Sequence, residues 1–184
     1  MKIRHIILLL LLHFGGRIDS KTKLQKLLYF LSLKFSRDFG FSPYFYGPYS
    51  SVIESEVDDL VGAGFVEVER CLLGVDAKRG FEVKKYSFQL TEEGKSFAND
   101  LKGQHIDEAN VIKGLVDQVK AKGDLDYLSL SIAAKSHYIL KHANRPMTGK
   151  DIESKAKDFS WEIDSSDINK AISILKEWGL VTAG

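Results

Sequence analysis

The sequence contains one cysteine, Cys71, in 184 residues. A single cysteine cannot form a disulfide within the chain or a cysteine-based zinc site. Free thiols are typical of reducing compartments, so we expect a cytoplasmic protein.

A long apolar run is also missing. The apolar run near the start covers residues 6–12, whereas a membrane-spanning helix needs roughly 20 residues. No A-x-A-like cleavage site follows, and Arg17 and Lys21 come soon afterwards, which does not fit a secretory signal peptide. We interpret residues 2–14 as a buried first helix and expect no membrane partner.

Sequence motifs of catalysis are absent as well. The chain has no P-loop, no G-x-S-x-G, no G-x-G-x-x-G and no H-E-x-x-H motif. His137 and His142 are five residues apart, whereas two zinc ligands on one helix face are four apart. His137 is better explained as a packed core residue. We therefore expect no enzyme activity, no metal and no cofactor.

The net charge of +1 gives no overall attraction to nucleic acid, but the charges are unevenly distributed. Residues 1–50 carry five Lys and three Arg against two Asp, a net charge of +6. Residues 51–63 carry four acidic residues and no basic one, a net charge of −4. Any contact with nucleic acid is therefore expected in the first fifty residues.

The first half of the chain reads as three helices and a hairpin. Apolar periodicity predicts helices over 2–14 and 21–36 and a third from about residue 52, with Ser51 and Glu54 as a capping box. Alternation predicts strands over 65–70 and 81–90, joined by a loop. Thr91 is predicted to cap a short helix.

The second half reads as helices alone. A connecting helix is predicted over 105–122 and another over 128–143. Thr148 and Asp151 form a capping-box variant that begins a helix to about 158, and a last helix covers 167–178. The runs "VDDLVGAGFVEV" and "ISILKEWGLVTAG" are alike, which indicates either internal duplication or convergent helix ends.

This order of elements predicts a mainly α (α+β) fold. Three helices, a hairpin and "LTEEG" opening another helix are typical of a winged helix-turn-helix with a two-stranded wing, expected over 1–103. A second helical unit resembling a helix-turn-helix is expected over 104–184.

A basic stripe on the second helix suggests contacts to phosphates. It combines Lys23, Lys26, Lys34 and Arg37 with Phe30. Solubility conferred by an exposed lysine face is the plainer explanation. Together with cations before helix two and in the wing, the predicted DNA contacts are Arg17, Lys21, Lys23, Lys26, Lys34, Arg37, Lys78, Arg79, Lys84 and Lys85.

The third helix does not have the charge expected of a recognition helix that enters the major groove of DNA. It carries four carboxylates and no basic residue, so a phosphate-lined groove would repel it. The alternative hypothesis is a protein-interaction surface formed by this helix and the preceding aromatic segment. Its predicted contacts are Tyr44, Tyr46, Tyr49, Glu54, Asp58 and Asp59.

The segment "FSPYFYGPYS", residues 41–50, is either an aromatic platform for a ligand or a rigid elbow between two helices. Pro43 and Pro48 restrict the backbone, and Gly47 permits a turn. Five aromatics beside leucine-rich helices are more simply explained by hinge and core packing, so the elbow is favoured.

The stretch from "GRIDSKTKLQKLLYF" through "YGPYSSVIESEVDDLVGAGFVEV" resembles the YwgA-like proteins, and more distantly the antitoxin-associated SocA-like (Panacea) domains. The shared residues include Leu24–Lys26 and Tyr46–Ser50. The resemblance implies a winged-helix-like fold and little mechanism. Antitoxin relatives act by protein contact, which supports the protein-interaction alternative.

Two hypotheses therefore follow from the sequence. The first is a DNA-binding transcription regulator that binds double-stranded DNA as a homodimer. The second is a protein-interaction module, either antitoxin-like or a subunit of a complex.

Overall fold

The protein is described by a computed structural model that covers residues 1–75, 82–143 and 145–181. For residues 73–75 and 82–84 the backbone alone is described. The elements in chain order are α1 (Ile3–His13), β1 (Arg17–Ile18), α2 (Lys21–Lys34), α3 (Ser51–Gly62), β2 (Val66–Val75), β3 (Glu82–Leu90), α4 (Glu92–Gln104), α5 (Ile106–Ala121), α6 (Tyr127–Ala143), α7 (Gly149–Ala156), a 3-10 turn (Lys157–Phe159) and α8 (Ser165–Glu177). The fold is thus mostly helical with a small sheet, which confirms the α+β class.

The chain divides into two compact units, and each unit combines two segments. Unit 1 contains residues 1–24 and 52–116, and unit 2 contains residues 25–51 and 117–184. The first turn of α2 therefore belongs to unit 1 and the rest of α2 to unit 2. The sequence-based boundary at residue 103 instead assumed two consecutive segments.

Unit 1 is built around α1. Residues 6–11 of this helix are at most 1% exposed, as its leucine-rich run predicts. The helix contacts α4, β1 and β3. On α4, Phe97 stacks on Phe65 with ring centroids 5.1 Å apart. The apolar start of the chain is therefore a core helix.

The sheet of unit 1 is antiparallel, with strand order β1-β3-β2. The β2–β3 register runs from Val66 opposite Leu90 to Val75 opposite Glu82, with an irregularity between Leu72 and Gly74. Residues 71–75 were predicted as loop, which is wrong, because they extend the ladder with β3. The two-residue strand β1 was not predicted, since only its pairing with β3 defines it.

Two helix starts in the described chain carry the predicted caps. The Thr91 hydroxyl oxygen accepts a hydrogen bond from Gly94 N at the start of α4. Thr148 and Asp151 form a complete capping box at the start of α7. By contrast, α3 begins at Ser51 itself, so Ser51 lies inside the helix and does not occupy the cap position expected for it.

Unit 2 has its own core between α6, α7 and α8. Five buried residues form its centre, which are Ile139, Ile152, Ala156, Trp161 and Ile168. The α7 helix is only eight residues long, so it depends on this packing more than on its own hydrogen bonds. Residues 41–50 and most of α2 belong to the same unit.

Candidate interaction site

Residues 42–49 form a closed turn in unit 2, which we call the aromatic turn. Backbone hydrogen bonds of 2.9 Å run both ways between Ser42 and Tyr49. At the tip, Gly47 N donates to the Tyr44 carbonyl oxygen over 2.9 Å. Gly47 has a φ of +94°, a conformation that glycine adopts without the Cβ penalty of other residues.

Three carbonyl oxygens of the aromatic turn accept hydrogen bonds from side chains elsewhere in unit 2. Trp161 Nε1 donates to Tyr44 over 2.6 Å, and Ser131 Oγ donates to Tyr46 over 2.5 Å. Lys26 Nζ donates to Pro48 over 2.7 Å. These bonds fix the turn at alternate residues along its backbone.

A reciprocal amide pair holds the end of the turn against α2. The Gln25 side chain accepts from Ser50 N over 3.0 Å and donates to the Ser50 carbonyl over 2.9 Å. The Ser50 hydroxyl donates to the Phe39 carbonyl over 2.5 Å. The "LQK" and "YGPYS" stretches of the sequence thus bind each other.

Two buried lysines lie beneath Gly47. A Cβ built on Gly47 would lie 2.9 Å from Lys135 Cγ and 3.5 Å from Lys26 Cε. The Lys135 ammonium lies 5.7 Å from the centre of the Trp161 ring. Lys26 is 2% exposed and Lys135 is 8% exposed, so both stems are part of the packing under the turn.

Burial shifts the titration of both lysines. Burial is the main cause for Lys26 and the neighbouring charge of Lys135 adds to it, and together they lower the pKa of Lys26 to about 7. Burial also lowers the pKa of Lys135, although the Glu162 carboxylate acts in the opposite direction. A neutral Lys26 amine can still donate to the Pro48 oxygen, so the contact does not depend on charge.

The aromatic rings at the tip of the turn point into solvent. Tyr44 and Tyr46 are each 53% exposed, and Phe45 is 70% exposed. The Tyr44 ring contacts Phe45 and Tyr49, at centroid distances of 5.0 and 5.1 Å. The prediction that the aromatics of this segment serve as core packing is therefore wrong for residues 44–46, while Tyr49 is half-buried.

The structure corrects the basic stripe of α2. Lys26 was expected on an exposed face, which is wrong, since its ammonium is buried against Pro48. Phe30, placed in the same stripe, is 0% exposed. Lys34 donates to the Trp178 carbonyl over 3.4 Å, and burial lowers its pKa. The middle of the stripe is thus a buried face of the helix.

Two further predicted DNA contacts are engaged in ion pairs of unit 1. The Arg17 guanidinium lies 2.6 Å from Asp19 and 3.0 Å from Glu69, and hydrogen bonds to these carboxylates raise its pKa. Lys21 pairs with Glu54 and lies 5.6 Å from the centre of the Tyr86 ring. These cations compensate nearby carboxylates.

The other predicted cations differ in their surroundings. Lys23 lies over the Phe14 ring and Arg37 over the Phe39 ring. Lys85 is exposed on β3. Lys78 and Arg79 lie outside the described residues, as does the side chain of Lys84.

The acidic face of α3 is partly compensated within unit 1. Arg4 on α1 lies 2.7 Å from Glu56 and 3.2 Å from Asp59, and Glu54 is paired with Lys21. Asp58 is exposed. The net charge of −4 read from the sequence therefore overstates the negative charge that this helix presents.

Three residues that hold the aromatic turn were not predicted, namely Ser131, Lys135 and Trp161. Each lies more than 80 positions from its contact in the turn, and no local pattern marks such a contact. Over the part of the chain that is described, no group of three or more His, Cys, Asp or Glu residues is placed to hold a metal ion. No described helix has the length and apolarity to cross a membrane.

Comparison with known proteins gives one limited similarity. The chain is 29% identical over 112 residues to an uncharacterised protein, YwgA of Bacillus subtilis (strain 168). The match covers 59% of this chain and 59% of that protein. No family model matches the sequence. This similarity agrees with the family resemblance that the sequence motifs indicate. Because the relative is uncharacterised, it suggests no activity for this chain.

Proposed function

We propose that this protein is a protein-interaction module that binds a partner protein through Tyr44, Phe45 and Tyr46. The observation that carries the proposal is the combination of a fixed backbone with exposed rings. Side chains of Lys26, Ser131 and Trp161 bond three carbonyls of the turn, while the three rings at its tip are at least 53% exposed.

Fixing a contact loop before binding lowers the entropy cost of association. Aromatic side chains are enriched among the residues that dominate binding energy at protein interfaces. A rigid turn with three adjacent aromatics suits a partner that offers an apolar pocket with hydrogen-bond acceptors for the two phenols. We place the protein with the YwgA-like proteins and, in its mode of action, with antitoxin-like modules or subunits of complexes.

The proposal is tested by affinity capture from cells of the source organism with the wild-type chain and two double variants. The Phe45→Ser, Tyr46→Ser variant removes two anchors without touching the core. The matched control, Leu72→Ser with Ile106→Ser, removes two exposed apolar residues of unit 1, which are 56% and 62% exposed.

We expect a protein that the wild type and the control both capture and the aromatic variant loses. The captured protein, once purified, should bind the wild type at least about tenfold more tightly than the aromatic variant. If the captured protein is this chain itself, sedimentation should show a dimer that the aromatic variant does not form. Equal capture by all three forms, or none above background, would overturn the proposal.

DNA binding by a winged helix is the competing proposal. The order α1-β1-α2-α3-β2-β3 with strand order β1-β3-β2 supports it, because winged helices use this topology. The engagement of Arg17, Lys21 and Lys26 in contacts of their own weighs against it.

This competitor has its own test. Binding of a labelled random-sequence duplex should be measured by anisotropy at about 50 mM and 200 mM salt, over which phosphate contacts weaken steeply. Salt-sensitive binding lost on Lys23→Glu with Lys85→Glu, and kept by Phe45→Ser with Tyr46→Ser, would favour the DNA proposal over protein interaction.

A further inference from the structure

A large cleft opens in unit 2, away from the tip of the aromatic turn. Its volume is about 1580 Å³, and its walls come from the C-terminal part of α2, from α6, from the start of α7 and from α8. Ligand pockets of proteins usually measure about 300–1,000 Å³. The cleft is therefore large enough for a small molecule the size of a nucleotide.

Two buried polar side chains line the cleft. Tyr29 on α2 and His137 on α6 are 3% and 8% exposed, and the Tyr29 oxygen lies 2.8 Å from His137 Nδ1. Burial lowers the pKa of His137 to about 4 and raises the pKa of Tyr29. Both groups are therefore neutral near pH 7.

The neutral pair fixes the position of one proton. Nδ1 of His137 is the one hydrogen-bond partner of the Tyr29 hydroxyl among the described residues, and we assign the phenol as the donor, because its O–H has no other described acceptor. A neutral imidazole that accepts at Nδ1 carries its hydrogen on Nε2. No described residue accepts from Nε2, so this N–H is available to a ligand in the cleft that His137 lines.

Basic side chains outnumber acidic ones along the cleft. The basic residues are Arg37, Lys141, Arg145 and Lys176, and the acidic ones are Asp38 and Asp151. Both carboxylates are already engaged, since Asp38 accepts from Gly40 N and Asp151 accepts from Thr148 in the capping box of α7.

The four basic side chains differ in whether they form an ion pair. Arg145 lies 3.9 Å from Asp151. Lys141 and Lys176 are exposed, and neither has a carboxylate partner within the described residues. The cleft thus combines an excess of positive charge with an N–H donor, an arrangement suited to an anion.

Aromatic and apolar side chains also line the cleft. Phe41 packs against the edge of Tyr29 with centroids 5.1 Å apart. The Tyr138 ring contacts the His142 ring in a tilted arrangement, at 4.2 Å between centroids and 30° between planes. Ile152 and Ile172 add aliphatic surface. Such walls favour a ligand with a planar, apolar body over a bare inorganic ion.

We propose that this cleft binds a small anionic ligand with a planar body, with the anion held by Lys141 and Lys176 and a ligand acceptor held by His137 Nε2–H. The proposal is independent of the partner-binding function, because it uses none of the three exposed rings of the aromatic turn.

The test is titration calorimetry with defined probes. Adenosine 5′-monophosphate combines a phosphate with a planar base. 4-Hydroxybenzoate combines a carboxylate with a planar benzene ring. Adenosine and 4-hydroxybenzyl alcohol are the neutral counterparts, and inorganic phosphate is the anion without a body. The phosphate and carboxylate arms together show which anion the cleft accepts.

We expect at least one planar anion to bind about tenfold or more tightly than its neutral counterpart and than inorganic phosphate. Lys141→Gln with Lys176→Gln should weaken that binding about tenfold or more. Lys170→Gln is the matched control, since Lys170 lies on α8, does not line the cleft and is 3.7 Å from Asp167. It should change the affinity less than about twofold.

His137→Phe tests the Nε2–H donor, and it should weaken binding about tenfold. Its folding is checked by the near-ultraviolet circular dichroism spectrum. The exposed lysine variants keep the proposal testable if this variant does not fold. No binding of either anion at about 10 mM, or binding unaffected by the lysine changes, would overturn the proposal.

Discussion

Lys26 Nζ lies 2.7 Å from the carbonyl oxygen of Pro48 and is buried there. No carboxylate is paired with this ammonium within the described residues. A lysine of α2 that would serve as a phosphate contact in a DNA-binding surface instead holds the aromatic turn. The position of one side chain thus shifts the functional interpretation from DNA toward protein contacts.

The first prediction concerns the pH dependence contributed by Lys26. Its pKa is about 7 in the folded protein against 10.5 unfolded, so between these pH values the unfolded chain binds more protons. Its contribution to stability is therefore fully present above pH 10.5 and is lost as the pH falls to 7.

Lys26→Met removes this titration at similar volume. The free energy of unfolding of the wild type, relative to the variant, should rise by up to about 4 kcal/mol between pH 7 and pH 10. Urea denaturation at several pH values measures it, and a difference independent of pH would contradict the low pKa.

The second prediction concerns Gly47, where both backbone and space require glycine. Gly47→Ala introduces a Cβ at a φ of +94° and 2.9 Å from Lys135 Cγ. Gly123→Ala is the matched control, with a φ of +77° and no atom within 4 Å.

Both changes incur the cost of a left-handed conformation, about 1–2 kcal/mol. Gly47→Ala should cost about 1–3 kcal/mol more because of crowding. Equal losses in denaturant titrations would show that Lys135 moves aside freely.

The third prediction compares two glycines of α4. A Cβ on Gly94 would lie 2.0 Å from the Phe65 carbonyl oxygen, whereas a Cβ on Gly103 would meet nothing within 4 Å. Gly94→Ala should therefore destabilise unit 1 by about 3 kcal/mol or more, because a backbone oxygen must shift.

Gly103→Ala should be neutral or stabilise the protein by up to about 1 kcal/mol, because alanine favours the helix. The melting temperatures of the two variants, measured side by side, check the expected order. A Gly94→Ala protein as stable as the wild type would show that α4 can move away from Phe65.

The fourth prediction compares two buried tryptophans of unit 2. Trp161 Nε1 donates to the Tyr44 carbonyl over 2.6 Å. Trp178 Nε1 is buried without a hydrogen-bond partner among the described residues. Replacing each by phenylalanine removes similar volume, but only Trp161→Phe removes a hydrogen bond.

Trp161→Phe should therefore cost about 1 kcal/mol more than Trp178→Phe in free energy of unfolding. It should also raise amide hydrogen exchange within residues 42–49, while Trp178→Phe leaves this exchange unchanged. A turn equally protected in both variants would contradict the role of Trp161 in fixing it.

Local patterns predicted the elements whose formation depends on nearby residues. The helices begin and end within a few positions of their predicted bounds, and the caps by Thr91 and Thr148 are confirmed. Patterns failed where pairing at long range defines the element. Strand β1 exists because it pairs with β3 about 70 positions later, and residues 71–75 extend β2 for the same reason.

The candidate site was predictable in part. The sequence marked residues 41–50 as unusual and identified the turn-forming role of Gly47 and Pro48. It could not tell which rings are exposed, because that depends on how Trp161 and Ser131 hold the backbone from distant parts of the chain. The cleft with Tyr29 and His137 left no local signal, since its walls are separated by about 100 residues.

The sequence by itself determined the helices, the caps by Thr91 and Thr148, the core of the hairpin and the apolar stripe of α2, because these follow from periodicity and from contacts within a few residues. Tertiary structure decided which other faces of the helices are buried. On α2, Leu24, Leu27 and Leu28 are buried as their spacing predicts, but Lys26 is buried as well. A lysine stem can line a core when its amine finds an oxygen, and only the fold supplies that oxygen, at Pro48.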